Sequence, residues 1–361
     1  MATYTLSKAK RNKADEFYTQ LVDIEAEMRH YRHHFKGKSV LCNCDDPYES
    51  NFFKYFAANF NFLGLRKLVA TCYAGSSVMQ SELSLFDVSG VAESDASERR
   101  PYKVEITEVN DLNKDGATDL TDVAILLKNE RNTLTVLEGD GDFRSAECRK
   151  LMQQADIVVT NPPFSLFREF VAQLMELEKQ FVIIGNQNAI TYKDVFSLFS
   201  ENKIWLGQSI SSGDREFRVP DSYPLEAAGY RVDENGVKYI RVKGVRWFTN
   251  LDLPKRHQTL TLYRNYTPQE YPTYDNYDAI EVGKTAEIPC DYDGAMGVPI
   301  TFLDKYNPEQ FEIIGNSTAL ATPIIDQNGK RCSGRFYLRA ENGDLRRLYE
   351  RIVIKHKRMA K

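Results

Sequence analysis

The sequence predicts an α/β protein: a doubly wound, mostly parallel sheet followed by a smaller C-terminal region. Three observations carry this. Short β-branched apolar runs alternate with helix-period segments from about residue 39 to residue 200. Polar residues, namely Asp45, Asp142, Asn161 and Asn186, close four of those runs, where doubly wound sheets bind their ligands. After Trp247-Phe248 the alternation stops and prolines, tyrosines and basic residues become frequent, which puts a boundary near residue 250.

Taken in order, residues 13–35 read as a helix with Phe17, Leu21, Ile24, Met28 and Tyr31 on one stripe. Ser39 to Cys44 reads as a strand ending at Asp45-Asp46-Pro47, and a helix through Phe52, Phe53, Tyr55 and Phe56 follows. Residues 66–72 form a second strand. Residues 76–131 are polar and low in aromatics, and are expected to be an insertion. Residues 134–137 supply a third strand ending in Gly139-Asp140-Gly141-Asp142-Phe143, with a helix over 145–154 behind it. Asp156 to Thr160 is a fourth, fully buried strand, and a helix over 165–178 leads to a fifth at 181–184. The expected division is therefore 1–250 and 251–361.

At 361 residues, 42% apolar and 27% charged, the chain has the composition of a globular protein. No apolar run approaches the roughly 18–20 residues that span a bilayer, so no membrane role is expected. The N-terminal MATYTLSKAKRNKADEF lacks an apolar signal core, and the six cysteines form no CxxC pair. Reduced thiols and a cytoplasmic location are the expectation. The net charge of −4 is unevenly spread: residues 76–130 hold twelve acids against five bases, and residues 331–361 ten bases against three acids. A basic tail after an acidic middle suits a polyanion partner, although LRRLYERIVIKHKR also reads as an amphipathic surface helix.

The chemistry concentrates in DIVVTNPPFSLF, residues 156–167. Two consecutive prolines remove two backbone donors and stiffen the turn, which leaves carbonyl acceptors. Asn161 adds a side-chain acceptor and Phe164 an aromatic plane. Such a lip suits a planar group bearing an NH₂, because accepting both N–H bonds helps that nitrogen to pyramidalise.

Strand, Asn-Pro-Pro-Phe, then helix resembles the catalytic motif of S-adenosylmethionine-dependent amino-methyltransferases. ADEFYTQ, CNCDDPYESNFFKYF, GDGDFRS, ITYKDVF, NKIWLG and MGVPITFLDKYNPEQFEII resemble, in the same order, the EcoRI family of adenine-specific DNA methyltransferases. The resemblance implies a seven-stranded methyltransferase sheet and methyl transfer to N6 of an adenine flipped out of duplex DNA. It implies catalytic roles for Asn161, Pro162, Pro163 and Phe164, with Asn161 and the Pro162 carbonyl holding the amine and Phe164 stacking on the base. It implies cofactor contacts from Phe17, Tyr18, Thr19, Asp45, Pro47, Asp142 and Phe143. Double-stranded DNA is the implied partner, and a cognate restriction endonuclease a further one. DNA contacts are expected from Arg246, Lys255, Arg256, His257, Arg331, Arg335 and Arg339. The first strand lacks the wider pattern's Gly-x-Gly loop, and the second ends Thr71-Cys72-Tyr73 without the usual acid, so Asp46 or Tyr73 are candidate substitutes.

DLNKDGATDLTD, residues 111–122, places Asp111, Asn113, Asp115, Gly116, Asp119 and Asp122 at EF-hand loop positions 1, 3, 5, 6, 9 and 12. It resembles a dockerin-type calcium loop, so structural Ca²⁺ or Mg²⁺ is weighed against a plain acidic turn. His30, His33 and His34 share a helical face and are expected to be a polar flank. An RNA or protein-glutamine methyltransferase, or a catalytically silent DNA-binding module, are the competing readings.

Overall fold

The computed structural model describes residues 17–44, 47, 50–72, 101–116, 121–122, 125–126, 134–211, 214–219 and 229–357. Asp45, Asp46, Tyr73 and Asp119 lie outside them. The chain divides into two compact units, Met1–Gln187 with Ser212–Leu251, and Asn188–Ser211 with Asp252–Lys361.

The first unit is built on β1 (Ser39–Cys42), β2 (Lys67–Thr71), β3 (Tyr102–Ile106), β4 (Leu134–Val136), β5 (Ile157–Thr160) and β6 (Gln180–Asn186). A short β7 (Trp205–Leu206) belongs to the second unit. Then come β8 (Arg215–Arg218), β9 (Arg231–Val232), β10 (Lys238–Val242) and β11 (Val245–Thr249), back in the first. Seven strands of the first unit pair in the order β4-β3-β2-β1-β5-β6-β11. The central β2, β1, β5 and β6 are parallel, while β3, β4 and β11 join antiparallel at the two sides. Every residue of β1 and β5 is buried, as a strand covered on both faces requires. Strands β8, β10 and β9 form a separate antiparallel sheet.

Helices α1 (Leu21–Met28), α2 (Arg32–Phe35), α3 (Asn51–Ala58), α4 (Phe60–Leu63), α5 (Ala146–Gln154) and α6 (Phe167–Glu176) complete this unit. Ser50 and Ser145 cap α3 and α5 by accepting the backbone N–H groups of Phe53 and Cys148.

Three expectations change. Residues 13–35 are not one helix: Tyr18 exchanges backbone hydrogen bonds with Arg218 at 2.9 and 3.1 Å, so Phe17–Thr19 runs extended beside β8 and the helix begins at Leu21. The acidic segment 76–131 contributes β3 to the sheet, with Tyr102, Val104 and Ile106 inward and Lys103 and Glu105 outward. The outward Glu105 is held by Lys67 at 2.6 Å.

The third concerns LRRLYERIVIKHKR, which is strand rather than helix. In the second unit β12 (Ile280–Glu281), β13 (Met296–Pro299), β14 (Phe311–Asn316), β15 (Ile324–Ile325), β16 (Arg331–Cys332), β17 (Tyr337–Arg339), β18 (Leu345–Arg347) and β19 (Arg351–His356) follow one another. The main sheet is ordered β12-β13-β19-β14, and β15-β16 and β17-β18 are two-stranded ribbons. Ile352, Val353 and Ile354 of β19 are all buried, a continuous run that only a central strand can cover on both faces. Tyr274, Phe336 and Val353 share one core cluster. Among the described residues no helix is long and apolar enough to cross a membrane.

Candidate active site

The Asn-Pro-Pro-Phe turn leaves β5 at Thr160, runs through Pro163, makes a 3-10 turn over Phe164–Leu166 and enters α6. Its seat is fixed from below by Gly185 on β6. A Cβ there would fall 2.3 Å from the Phe167 ring, so the missing side chain lets α6 lie directly on the sheet.

Asn161 is 5% exposed, and its Nδ2 donates to the Phe17 carbonyl at 2.5 Å. Its Oδ1 is buried and has no partner. The Phe17 hydrogen bond thus fixes the amide and leaves its acceptor open to a donor. Phe164 lies edge-on to Phe17 at 5.6 Å and to Phe217 at 6.4 Å, and Phe17 and Phe217 are 5.8 Å apart. The ring expected to stack on a base is therefore buried in an aromatic trio. Phe217 of β8 had no motif to mark it; its position follows from the pairing of β8 with Phe17–Thr19.

Three more buried polar groups near these strand ends lack partners: Thr19 Oγ1, Thr71 Oγ1 at the end of β2, and both amide atoms of Asn43 just past β1. Thr160 Oγ1 donates to the Asn43 carbonyl, and Asn51 Nδ2 to the Thr19 carbonyl at 2.7 Å. Native interiors pair nearly all such groups, which makes this set a candidate lining for a polar ligand.

Of the other sites expected from sequence, Tyr18 and Pro47 are buried. Gly141 has φ +76° and a Cβ on it would meet the Cys72 carbonyl at 2.1 Å, which ties the Asp142 loop against the end of β2. The Asp142 carboxylate receives Arg144 Nε at 2.8 Å and Nη2 at 2.6 Å, and those bonds hold it below the ordinary aspartate range. Arg144 also reaches Glu169 at 2.9 Å. Phe143 packs edge-on against Phe170 at 5.0 Å.

Two residues expected to contact DNA are largely buried in the fold. Arg246 is 2% exposed in β11, opposite Gly185. Arg256 stacks its guanidinium 3.4 Å from the Trp205 ring centre, donates to Asn202 Oδ1 and lies 3.7 Å from Asp252; burial pushes its pKa down. Lys255 donates to the Gly207 carbonyl at 3.5 Å and His257 sits 2.8 Å from Asp252. Arg335 pairs with Glu350 at 2.8 Å and Arg339 with Asp275 at 2.5 Å, both partly exposed. Arg331 is exposed, as are Arg346 and Arg347 of β18, which the helical reading of that stretch obscured.

In the 111–122 loop, Asp111 accepts the N–H groups of Asp115 and Gly116, and Asp122 those of Leu112 and Asn113. Asn113 donates to Asp115 at 2.8 Å. Among the described residues no group of three or more acidic, histidine or cysteine side chains is placed to hold a metal. The three histidines include a His33–His34 ring contact at 4.0 Å and a hydrogen bond from Arg29 to His30.

The family model described as "Adenine-specific methyltransferase EcoRI" matches residues 5–357. The chain belongs to this family. It is 46% identical over 360 residues to the Type II methyltransferase M.EcoRI of Escherichia coli, covering 99% of this chain and 97% of that protein. The Type II methyltransferase M.MpnI of Mycoplasma pneumoniae is 38% identical, with 97% of this chain and 98% of that protein covered. M.MgeORF184P of Mycoplasma genitalium is 34% identical over similar shares, 97% and 98%. No solved structure matches the chain significantly. The match to the family runs across both compact units.

Proposed function

We propose that the chain is a site-specific DNA methyltransferase that methylates N6 of an adenine flipped out of duplex DNA, with S-adenosylmethionine as methyl donor. The observation that carries this reading is the buried, partnerless Asn161 Oδ1, fixed by the Phe17 carbonyl beside a turn with two prolines. Asn161 Oδ1 accepts one N–H of the exocyclic amine. The Pro162 carbonyl accepts the other, and no proline N–H competes for it. Both bonds draw the nitrogen lone pair out of the ring, and one proton then leaves through these acceptors to water. The Phe17, Phe164 and Phe217 trio keeps bulk water from the amine and offers Phe164 to the base once the rings part. When bound, S-adenosylmethionine supplies a methyl carbon already activated by its sulfonium. Phe17–Thr19, Pro47, Asp142 and Phe143 would line its site, with Asp45 a further contact. Catalysis is then chiefly positioning.

Residues 1–250 would carry this chemistry and 251–361 target recognition, with Arg331, Arg335, Arg339 and Lys255 among the contacts. The Type II names of the relatives support a place in a restriction–modification system, with a cognate endonuclease reading the same site and no physical complex needed. A cytoplasmic location fits that role. Any Ca²⁺ or Mg²⁺ on the 111–122 loop would act on the fold, because the sulfonium needs no further activation.

The test is transfer from labelled S-adenosylmethionine to duplex DNA, single-stranded DNA and RNA, with nucleoside mass spectrometry. N6-methyladenine in the duplex is expected, and Asn161→Ala should lower kcat by about 10² or more, as for loss of one preorganised hydrogen-bonding group. Label confined to RNA or protein would overturn the substrate.

A further inference from the structure

The second unit carries two β-hairpins, β15–β16 and β17–β18. Their roots are anchored in the core. The buried Asn276 donates to the Thr322 carbonyl at 3.0 Å and the Arg335 carbonyl at 2.9 Å, and accepts the Tyr337 N–H at 3.0 Å, so one side chain clamps both hairpins. Phe336 and Leu338 sit in the core cluster of Val353. The far ends are exposed and alike. Gln327-Asn328-Gly329 and Glu341-Asn342-Gly343 are three-residue loops, each closing on a glycine in the left-handed region, with φ +76° and +85°.

Most polar side chains at these tips hold the turns themselves. Asp326 accepts the N–H groups of Asn328 and Lys330, and Asn342 and Asp344 bond each other. Gln327 differs. It is exposed, and its Nε2 donates to the Asn342 carbonyl at 3.3 Å, against the bare Cα of Gly343, where a Cβ would come within 2.1 Å. That contact joins the two tips and orients the amide, while Oε1 and the second N–H remain for a ligand. Lys330, Arg331, Arg346 and Arg347 are exposed on the same hairpins against the acids Glu341 and Asp344, and Ile325 stands 70% exposed across from Arg331. An oriented amide among cations, with an apolar side chain in the open, matches a duplex major groove: phosphates for the arginines, the N7 and N6 edge of adenine for the amide, a thymine methyl for the isoleucine. A two-stranded ribbon is also an element which that groove admits.

We infer that Gln327 reads an adenine that stays stacked in the substrate duplex, Nε2 donating to N7 and Oε1 accepting from the N6 amine, so that the joined hairpin tips determine sequence specificity. This rests on the duplex DNA substrate assigned under the proposed function.

The test begins by mapping N6-methyladenine in a random-sequence duplex library treated with the parent, which defines its site. Gln327→Ala should lower kcat/KM on that site by about 5- to 150-fold, the loss of one good bidentate base contact, and accept other bases at one A·T pair. The parent is then assayed with 7-deazaadenine, which lacks the N7 acceptor, at each adenine of the site except the flipped one. One such position should lower kcat/KM by about 3- to 10-fold, the weight of a single hydrogen bond, and Gln327→Ala should lose nothing further there. Gln327→Glu, which presents only acceptors, should move the preference at that pair from adenine toward cytosine. Because Gln327 is exposed, Gln327→Ala should melt with the parent and keep its salt slope. An alanine variant that keeps the parent's selectivity at every position, or stays sensitive to 7-deazaadenine wherever the parent is, would overturn the inference and leave the methyltransferase reading standing. A parent site with no adenine in either strand besides the flipped one would do the same. A parent that methylates no duplex removes both.

Discussion

At Asp142 three hydrogen bonds from one residue converge on a carboxylate: Arg144 Nε and Nη2, and the Arg144 backbone N–H at 2.8 Å. The arginine hydrogen bonds outweigh burial and lower the aspartate pKa. A depressed folded-state value means that the ionised pair stabilises the fold above the unfolded value of about 3.9, and that this contribution is lost as pH falls through the lower folded value. Asp142→Asn should therefore melt below the parent at pH 7, and the gap should close as pH falls below about 4. A gap that stays constant to pH 3 would show that Asp142 acts by shape and not by charge. The same pairing orients the Asp142 carboxylate, on a loop that Gly141 ties against the end of β2.

One step up, the packing of α6 on β6 decides where the Asn161 turn sits. A Cβ at Gly185 would press 2.3 Å from the Phe167 ring, and Phe167 in turn packs 4.9 Å from Phe248 of β11. Gly185→Ala should cost about 1–3 kcal/mol in denaturant unfolding, the range for overpacking a filled core. It should also lower kcat by moving the turn, whereas a stable, fully active variant would mean that α6 can shift freely. The elements that carry this site were legible because strands buried on both faces are short apolar runs, and β1, β2, β5 and β6 are such runs. What stayed hidden had competing signals. β3 alternates in and out within an acidic segment, so its outward Lys103 and Glu105 masked a strand. Phe17–Thr19 has helical spacing, but pairing with β8, distant in sequence, overrides it. In Leu345–His356 apolar residues fit a helix stripe as well as a buried strand, and only the sheet partners β13 and β14 decide between them. The Asn161 turn stands out in the sequence because its motif is rigid and rare, whereas an asparagine after a strand, such as Asn43, ordinarily marks a turn.

For the molecule as a whole, the charge that matters to a polyanion is what the fold leaves at the surface. The chain carries −4 overall, yet residues 331–361 carry an excess of bases. Folding sorts those bases. Arg351 is spent on Glu281 at 2.6 Å, Arg335 on Glu350 and Arg339 on Asp275, while Arg331, Arg346 and Arg347 are exposed on the two ribbons. If the second unit reads DNA, affinity should fall with salt in proportion to the phosphates it neutralises, with a slope of about −0.9 per contact. Replacing both Arg346 and Arg347 by alanine should make the slope of log Kobs against log salt shallower by about 1–2 and weaken cognate and non-cognate duplexes alike. Arg256→Ala provides the contrast: its guanidinium lies over Trp205 within the fold, so this substitution should lower the melting temperature and leave the salt slope unchanged. Equilibrium binding to a labelled duplex at four or five salt concentrations checks both. An unchanged slope in the double variant would move the phosphate contacts off these ribbons, and a loss confined to the cognate duplex would make Arg346 or Arg347 a base-reading residue.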